Sequence, residues 1–214
     1  MVEGERRAAV FLDRDGTINE EIGYMDRLEK LRLIPCAAEA IRLINASGMK
    51  TVVVTNQSGI ARGLFDEAFV FQVHTRLREM LRAEGAWIDA FYFCPHHPTE
   101  GRGDYLRGCE CRKPAPGLFL RAASELHLDP ARSYMVGDTL EDIEAGARAG
   151  TQGILVRTGY GKEAVAELGP DEEPQRKIPG KEGGAQGKAG IFRPVHIAGD
   201  ILAGVRWILR NRKP

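Results

Sequence analysis

The sequence carries no excess charge of either sign, because 30 lysine and arginine residues are matched by 30 aspartate and glutamate residues. Such a chain has no overall field to attract nucleic acid or an anionic membrane surface, so we expect neither as a partner. Long apolar runs are missing as well: the first, residues 8–12, is too short for a signal peptide or a membrane span. We therefore expect a cytoplasmic protein whose anion sites, if any, are local.

Cysteine is scarce, and three of the four cysteines lie within residues 94–111. Three clustered thiols leave one unpaired in any disulfide scheme, which favours a metal over disulfides or free thiols. A CxH pair, Cys94 and His96, and a CxC pair, Cys109 and Cys111, would fill a tetrahedral zinc site and leave no open position for water. The spacing predicts a structural Zn²⁺ in a zinc loop over 94–111, but it does not choose between His96 and His97.

Short apolar runs alternate with longer amphipathic ones over most of the chain. The pattern predicts an α/β fold: a three-layer, Rossmann-like parallel sheet with helices on both faces. With 43% apolar residues, the 214-residue chain can bury one core, so we expect a single domain over 1–214. Glycine, lysine, glutamate and proline dominate 160–194, which predicts a mobile Gly-rich loop, and helical spacing returns over 196–211. The predicted strands read AAVFLD, TVVVTN, IDAFYF, SYMVGD and GILVRTG.

Asp13 and Asp15 follow the first predicted strand in the segment DRDGT. Residues two apart in an extended chain point to the same side, here at the carboxyl edge of the sheet where ligands bind. Two neighbouring carboxylates repel unless a cation lies between them, and hard oxygen ligands suit Mg²⁺. The alternative is that Asp15 only caps a turn with Gly16.

Three further features occur in a fixed order after DRDGT. Thr55 ends the second predicted strand, Lys113 follows the last clustered cysteine, and Asp138 ends a later strand with Asp142 one helical turn beyond it. Each has a simpler interpretation when taken alone: a strand-end threonine or a helix N-cap aspartate, or a solvated surface lysine. Together they favour a phosphate site. His74 has no partner pattern in the sequence.

These motifs resemble those of the haloacid dehalogenase superfamily of phosphohydrolases over about residues 8–160. The resemblance implies that Asp13 attacks phosphorus and that Asp15 serves as general acid and base. It also implies that Asp13, Asp138 and the main-chain carbonyl of Asp15 hold Mg²⁺, and that Thr55 and Lys113 bind the phosphate oxygens.

Within the superfamily, the segments FLDRDGTIN, VVVTNQSGIARG, CPHHP and CRKP look like those of the heptose bisphosphate phosphatases. This resemblance implies a sugar bisphosphate substrate that loses its 7-phosphate during nucleotide-activated heptose synthesis for lipopolysaccharide. It implies zinc on Cys94, His96, Cys109 and Cys111, and it assigns Arg112 to the phosphate that is not transferred. It matches substrate contacts to Glu21, Gly23, Tyr24, Thr55, Asn56, Gln57, Ser58, Arg112 and Lys113.

Some alternatives stay open at this level. Thr139 stands where this family often has a lysine, so the preferred anomer is undetermined. Histidinol-phosphate phosphatases share every motif, although Arg112 would be a poor neighbour for a cationic substrate. A catalytically silent, zinc-stabilised binding module is a third reading. Only 41 residues separate Asp13 from Thr55, which leaves no room for a separate cap domain between them. We also expect the protein to be a monomer.

Overall fold

The computed structural model describes residues 6–169 and 192–212. Six parallel strands form one sheet in the order β3-β2-β1-β4-β5-β6. The strands are β1 (Ala9–Leu12), β2 (Lys50–Asn56), β3 (Ala90–Cys94), β4 (Tyr134–Gly137), β5 (Gln152–Val156) and β6 (His196–Ala198). The predicted α/β class and the parallel sheet are confirmed.

In the described part of the chain, six α-helices cover both faces of this sheet: α1 (Ala37–Ala46), α2 (Glu67–Ala83), α3 (Gly117–Glu125), α4 (Leu140–Arg148), α5 (Gly161–Glu167) and α6 (Ile201–Asn211). Alternation along β1 separates the two layers, because Val10 and Leu12 join one apolar cluster while Ala9 and Phe11 join the other. Helices α1, α2 and α6 pack in the first cluster, and α3 and α4 contribute to the second. Burial on both faces explains why the strand sequences are almost continuously apolar.

Two predicted segments differ from the structure. The supposed loop over 160–194 begins with helix α5, and its Ala164, with Leu168 directly after the helix, joins Leu155 of β5 in one buried apolar cluster. The glycine-rich composition beyond it hid these apolar contacts, and residues 170–191 lie outside the described part of the chain. The helix expected over 196–211 begins only at Ile201, because His196–Ala198 pair with β5 as a sixth strand. The preceding Asp200 caps α6 by accepting from the Ala203 amide.

The strand order reverses direction at β1 and β4. Chain connections run outward from β1 through β2 to β3, and from β4 through β5 to β6 on the other side. A parallel sheet binds ligands at the carboxyl edge beside such a switch point. The loops that follow β1, β2 and β4 meet there, and the described residues include no separate cap over it, as the sequence predicted. Among the same residues, no helix combines the length and the apolar character that crossing a membrane requires.

Candidate active site

Asp13 and Asp138 extend from the ends of the neighbouring strands β1 and β4. The Asp13 amide continues the ladder by donating to Val136 at 3.0 Å, which fixes the first carboxylate beside the second. Ligand oxygens of Asp13, Asp138 and Asp142 lie within 4.8 Å of one another, and all three residues are buried. Asp138 Oδ1 is also buried, and it has no hydrogen-bond partner within the described chain. A buried acceptor of this kind fits a cation, and the hard oxygen set suits Mg²⁺.

The positive charge of Lys113 does not fully compensate the carboxylates of the acidic cluster. Burial, with Asp142 and Asp15 nearby, raises the pKa of Asp13 to about 7, although Lys113 opposes the shift. Burial and the charge of Asp13 raise the pKa of Asp138 to about 8. A divalent ion would favour both ionised forms, so the local electrostatics fit a metal at this point.

Two glycines leave room for Asp138. A Cβ placed on Gly16, which has φ +78°, would come within 2.2 Å of Asp138 Oδ2, and one on Gly159 would come within 2.1 Å. The same carboxylate accepts from the Tyr160 amide at 2.8 Å. Any larger residue at either glycine would push the carboxylate away, so the glycine of DRDGT preserves the acidic cluster as well as a turn.

Lys113 lies between two of the carboxylates. Its Nζ is 2.6 Å from Asp13 Oδ1, 2.5 Å from Asp142 Oδ1 and 3.0 Å from the Val54 carbonyl. The two acidic partners hold its pKa above the ordinary lysine value despite burial. Lys113 is therefore a fixed ammonium group at the end of β2.

Asp142 was absent from the predicted site residues. Its Oδ1 accepts from Lys113, and its Oδ2 accepts from the Thr139 amide at 3.1 Å and hydroxyl at 2.7 Å, in a capping box at the start of α4. With both oxygens occupied by protein, Asp142 is a partner of Lys113, and Asp13 and Asp138 are left as the better metal ligands. The signal in the sequence was the position of Asp142, one helical turn after Asp138.

Asp15 accepts four side-chain hydrogen bonds. Arg14 donates to both oxygens, at 3.2 Å from Nε and 2.7 Å from Nη2, and Asn19 and Gln57 donate at 2.8 and 3.0 Å. Burial raises the pKa of Asp15, but the Arg14 charge and these hydrogen bonds outweigh it and lower the pKa overall. The resting carboxylate is ionised and held in one orientation, which is more than a turn cap requires.

The predicted phosphate and substrate residues surround one cavity of about 290 Å³. Thr55, at the end of β2, accepts from Gln57 at 3.0 Å, and Gly23 donates its amide to Glu21. The wall also contains residues that the sequence did not single out as ligand contacts. These are Arg14, Met25, Gly59, Phe65, Thr139, Glu141, Asp142 and Tyr160, in addition to the predicted Asp13, Asp15, Glu21, Gly23, Tyr24, Thr55, Asn56, Gln57, Ser58, Arg112, Lys113 and Asp138.

The cysteine cluster forms a second centre beside this cavity. Cys111 Sγ lies 3.1 Å from Cys94 Sγ and 3.3 Å from both Cys109 Sγ and His96 Nδ1. Ligands at Zn–S distances of about 2.3 Å in a tetrahedron lie about 3.7 Å apart, so a modest expansion would admit zinc. His97 is not part of the cluster, because its Nδ1 accepts from the amides of residues 99 and 100. The geometry thus favours His96 as the fourth ligand.

The cluster is joined directly to the cavity. Arg112 follows Cys111 in the chain and reaches back to the His96 carbonyl at 3.4 Å. Asn56 pairs with the main chain of Lys113 in both directions at 3.1 Å, with its amide donating to the carbonyl and its oxygen accepting from the amide. The conformation of the cysteine loop therefore helps to fix the positions of Arg112 and Lys113 in the cavity wall.

Comparisons with known proteins agree with this geometry. A family model described as HAD-hydrolase-like matches residues 110–179. The D-glycero-beta-D-manno-heptose-1,7-bisphosphate 7-phosphatase of Pasteurella multocida is 46% identical over 72% of this chain and 83% of its own length. A D-glycero-D-manno-heptose-1,7-bisphosphate 7-phosphatase of Thermosynechococcus vestitus is 41% identical over 97% of this chain and 98% of its own length.

A solved structure extends the likeness to three dimensions. The D,D-heptose 1,7-bisphosphate phosphatase of B. bronchiseptica, complexed with magnesium and phosphate, superposes with a TM-score of 0.77 and 30% identity. The match covers 95% of this chain and 98% of that one. A phosphoric monoester hydrolase of the haloacid dehalogenase superfamily accounts for both the sequence and the fold, and the chain belongs to its heptose bisphosphate phosphatase family.

Proposed function

We propose that the chain removes the 7-phosphate of D-glycero-D-manno-heptose 1,7-bisphosphate in an Mg²⁺-dependent reaction that proceeds through an aspartyl-phosphate. The observation that carries this proposal is the pair of neighbouring cations, Lys113 and Arg112, on the wall of one cavity with Asp13 and Asp15. A bisphosphate offers one phosphate to each cation. The relatives named above act on this class of compound according to their names, which supports the same substrate here.

In the first half-reaction, an oxygen of Asp13 attacks phosphorus and the bond between phosphorus and the sugar oxygen breaks. Asp15 donates a proton to the departing oxygen, and the negative charge brought by the phosphate favours the protonated form that this step needs. Thr55 and Lys113 bind the equatorial oxygens, where charge is spread. Bound to Asp13, Asp138 and the main-chain carbonyl of Asp15, Mg²⁺ would screen the phosphate charge from the carboxylates.

In the second half-reaction, Asp15 takes a proton from water as the water attacks the phosphoryl group on Asp13. The bond between phosphorus and Asp13 breaks, and inorganic phosphate leaves. Asp15 is ionised in the resting site and held in one orientation by four hydrogen bonds, and the ionised carboxylate is the form that can accept this proton.

The cysteine cluster would hold a structural Zn²⁺ that orders the loop over 94–111, because Cys94, His96, Cys109 and Cys111 together complete a tetrahedron. We assign Arg112 to the 1-phosphate, and Glu21, Gly23, Tyr24 and residues 55–58 to the sugar and the 7-phosphate. We further propose that the chain acts as a cytoplasmic, monomeric, single-domain enzyme over 1–214, in nucleotide-activated heptose synthesis.

Histidinol phosphate is a second candidate substrate. Glu21 and Glu141 also line the cavity, and their carboxylates could pair with the cationic amine of this compound. A comparison of kcat/KM for the two heptose bisphosphate anomers and histidinol phosphate, with Mg²⁺ present, distinguishes the candidates. We expect at least a hundredfold preference for one heptose anomer. A preference for histidinol phosphate would contradict the assignment, and an absence of turnover on all three would favour a binding module.

A further inference from the structure

His74 is a buried histidine in the middle of helix α2, outside the cavity wall. It is 2% exposed, its ring stacks on Phe91 with centroids 4.5 Å apart, and it meets Phe93 in a T-shaped contact with centroids 5.9 Å apart. An apolar side chain would fill this environment as well. The polar contact of the imidazole therefore calls for an explanation.

That contact is with Arg14, the residue between the two aspartates of DRDGT. Arg14 is also 2% exposed, and its Nη1 lies 3.4 Å from His74 Nε2. Arginine can only donate, so the imidazole must accept at Nε2 and must be neutral. Burial, reinforced by the charges of Arg14 and Arg78, lowers the pKa of His74 to about 3. A neutral acceptor therefore faces Arg14 throughout the physiological pH range.

The other edge of the same guanidinium binds Asp15. Nε and Nη2 donate to the two oxygens of Asp15, and Nη2 also donates to Gln57 Oε1 at 3.0 Å. A planar guanidinium held on both edges has little freedom to rotate. The guanidinium of Arg14 therefore connects His74 on α2 with the carboxylate of Asp15 in the cavity.

We propose that His74 is a positioning residue that holds Arg14, and through it Asp15, in the orientation needed for proton transfer to the leaving oxygen. The inference rests on the proposed role of Asp15 as general acid and base. Loss of the acceptor leaves a buried Arg14 N–H without a partner, and the guanidinium then moves to find another. Asp15 moves with it, and small displacements of a proton donor cost large factors in rate.

Substrates that differ in leaving group separate this role from a structural one. Departure of an alkoxide or a phenolate depends on protonation, whereas 4-nitrophenolate leaves as a stable anion. General acid catalysis contributes about 10²–10⁴-fold where it is needed, so a misplaced acid slows the first kind of substrate selectively. The test therefore compares heptose bisphosphate, phenyl phosphate and 4-nitrophenyl phosphate.

Three variants make the comparison specific. Gln at position 74 carries an oxygen near the place of Nε2, Asn is similarly polar but too short, and Met fills the volume without a strong acceptor. For His74→Met and His74→Asn we expect kcat/KM, which reports only the steps up to departure of the leaving group, to fall about tenfold or more on the heptose and phenyl substrates. On 4-nitrophenyl phosphate, kcat/KM should stay within about twofold of the wild-type value. His74→Gln should stay close to wild type on all three.

Equal losses of kcat/KM on all three substrates, or no loss, would overturn the inference, as would an equal loss in His74→Gln and His74→Asn. Should His74→Met fail to fold, as judged by circular dichroism, the Gln and Asn variants decide the matter. The phenyl and 4-nitrophenyl pair reads the leaving-group effect even when the sugar assignment is wrong. A wild-type enzyme that is inactive on heptose bisphosphate would refute the proposed function alone.

Discussion

Lys113 Nζ lies 2.6 Å from Asp13 Oδ1, although 100 positions separate the two residues. One follows the cysteine loop and the other follows the first strand, so their contact joins the two centres of the molecule. With Asp142 on its other side, Lys113 is paired before any phosphate arrives. The site is therefore organised in advance of binding, which lowers the cost of arranging charge during reaction.

Asp13→Asn should reduce phosphate release at least about 1000-fold, because it removes the carboxylate that would attack phosphorus in the proposed reaction. The fold should persist, since Asn has the same size and Asp142 still pairs with Lys113. Steady-state turnover and circular dichroism measure the two effects. Asp26→Asn, on an exposed loop carboxylate, is the matched control and should be fully active. Residual activity within tenfold of wild type would exclude Asp13 as the nucleophile.

Asp142→Asn should lower kcat about tenfold or more, because it removes the negative charge that pairs with Lys113. Thr139→Ala is its control: this change removes the hydroxyl of the α4 cap and keeps the Lys113 contact. It should cost about 1 kcal/mol of stability with little effect on kcat. Similar kcat losses in both variants would show that kcat depends on the α4 cap and not on the pairing of Asp142 with Lys113.

Arg112→Ala should reduce kcat/KM on heptose bisphosphate about tenfold or more and leave a heptose 7-monophosphate nearly unaffected. Only the bisphosphate carries the group that Arg112 would bind, and a charged hydrogen-bonded pair accounts for a loss of this size. Arg121→Ala, which removes an exposed ion pair on α3, should change neither substrate. Equal losses on the two substrates would contradict the assignment of Arg112 to the 1-phosphate.

The chain should purify with about one zinc ion, and Cys109→Ser should lose most of it. Thermal stability should fall with loss of the metal, because metal binding would supply part of the free energy that orders the loop. Elemental analysis and thermal unfolding provide the two measurements. Cys36→Ser changes the cysteine outside the cluster and should keep its zinc. A zinc-free wild type expressed with zinc available would mean that the thiols serve another purpose.

His74 should make folding stability depend on pH. Its pKa is about 3 in the folded chain and about 6.5 when unfolded, so only the unfolded state gains a proton between these values. The free energy of unfolding should therefore fall as pH drops below about 6.5, by on the order of 1–2 kcal/mol at pH 5. Urea unfolding of wild type and His74→Gln across this pH range isolates the contribution of His74 to the free energy of unfolding. Parallel curves for the two proteins would contradict it.

The sequence by itself determined the α/β class, the parallel sheet and part of the cavity wall, whereas Arg14, Glu141 and Asp142 were among the wall residues that it missed. Apolar periodicity is local, and motif residues at strand ends converge wherever a parallel sheet forms. Composition failed over residues 161–167, where apolar residues such as Ala164 form a helix that the neighbouring glycines conceal. Periodicity likewise merged β6 with α6, because a three-residue strand is too short to establish a pattern.

Only the tertiary structure decided which groups are partners. The pairing of Lys113 with Asp142, the choice of His96 over His97 and the contact of His74 with Arg14 all join residues that no local pattern connects. The physical reason is that hydrogen bonds and ion pairs depend on distances of a few ångströms between side chains from different elements. Packing sets those distances, whereas spacing along the chain sets only which edge of the sheet each residue reaches.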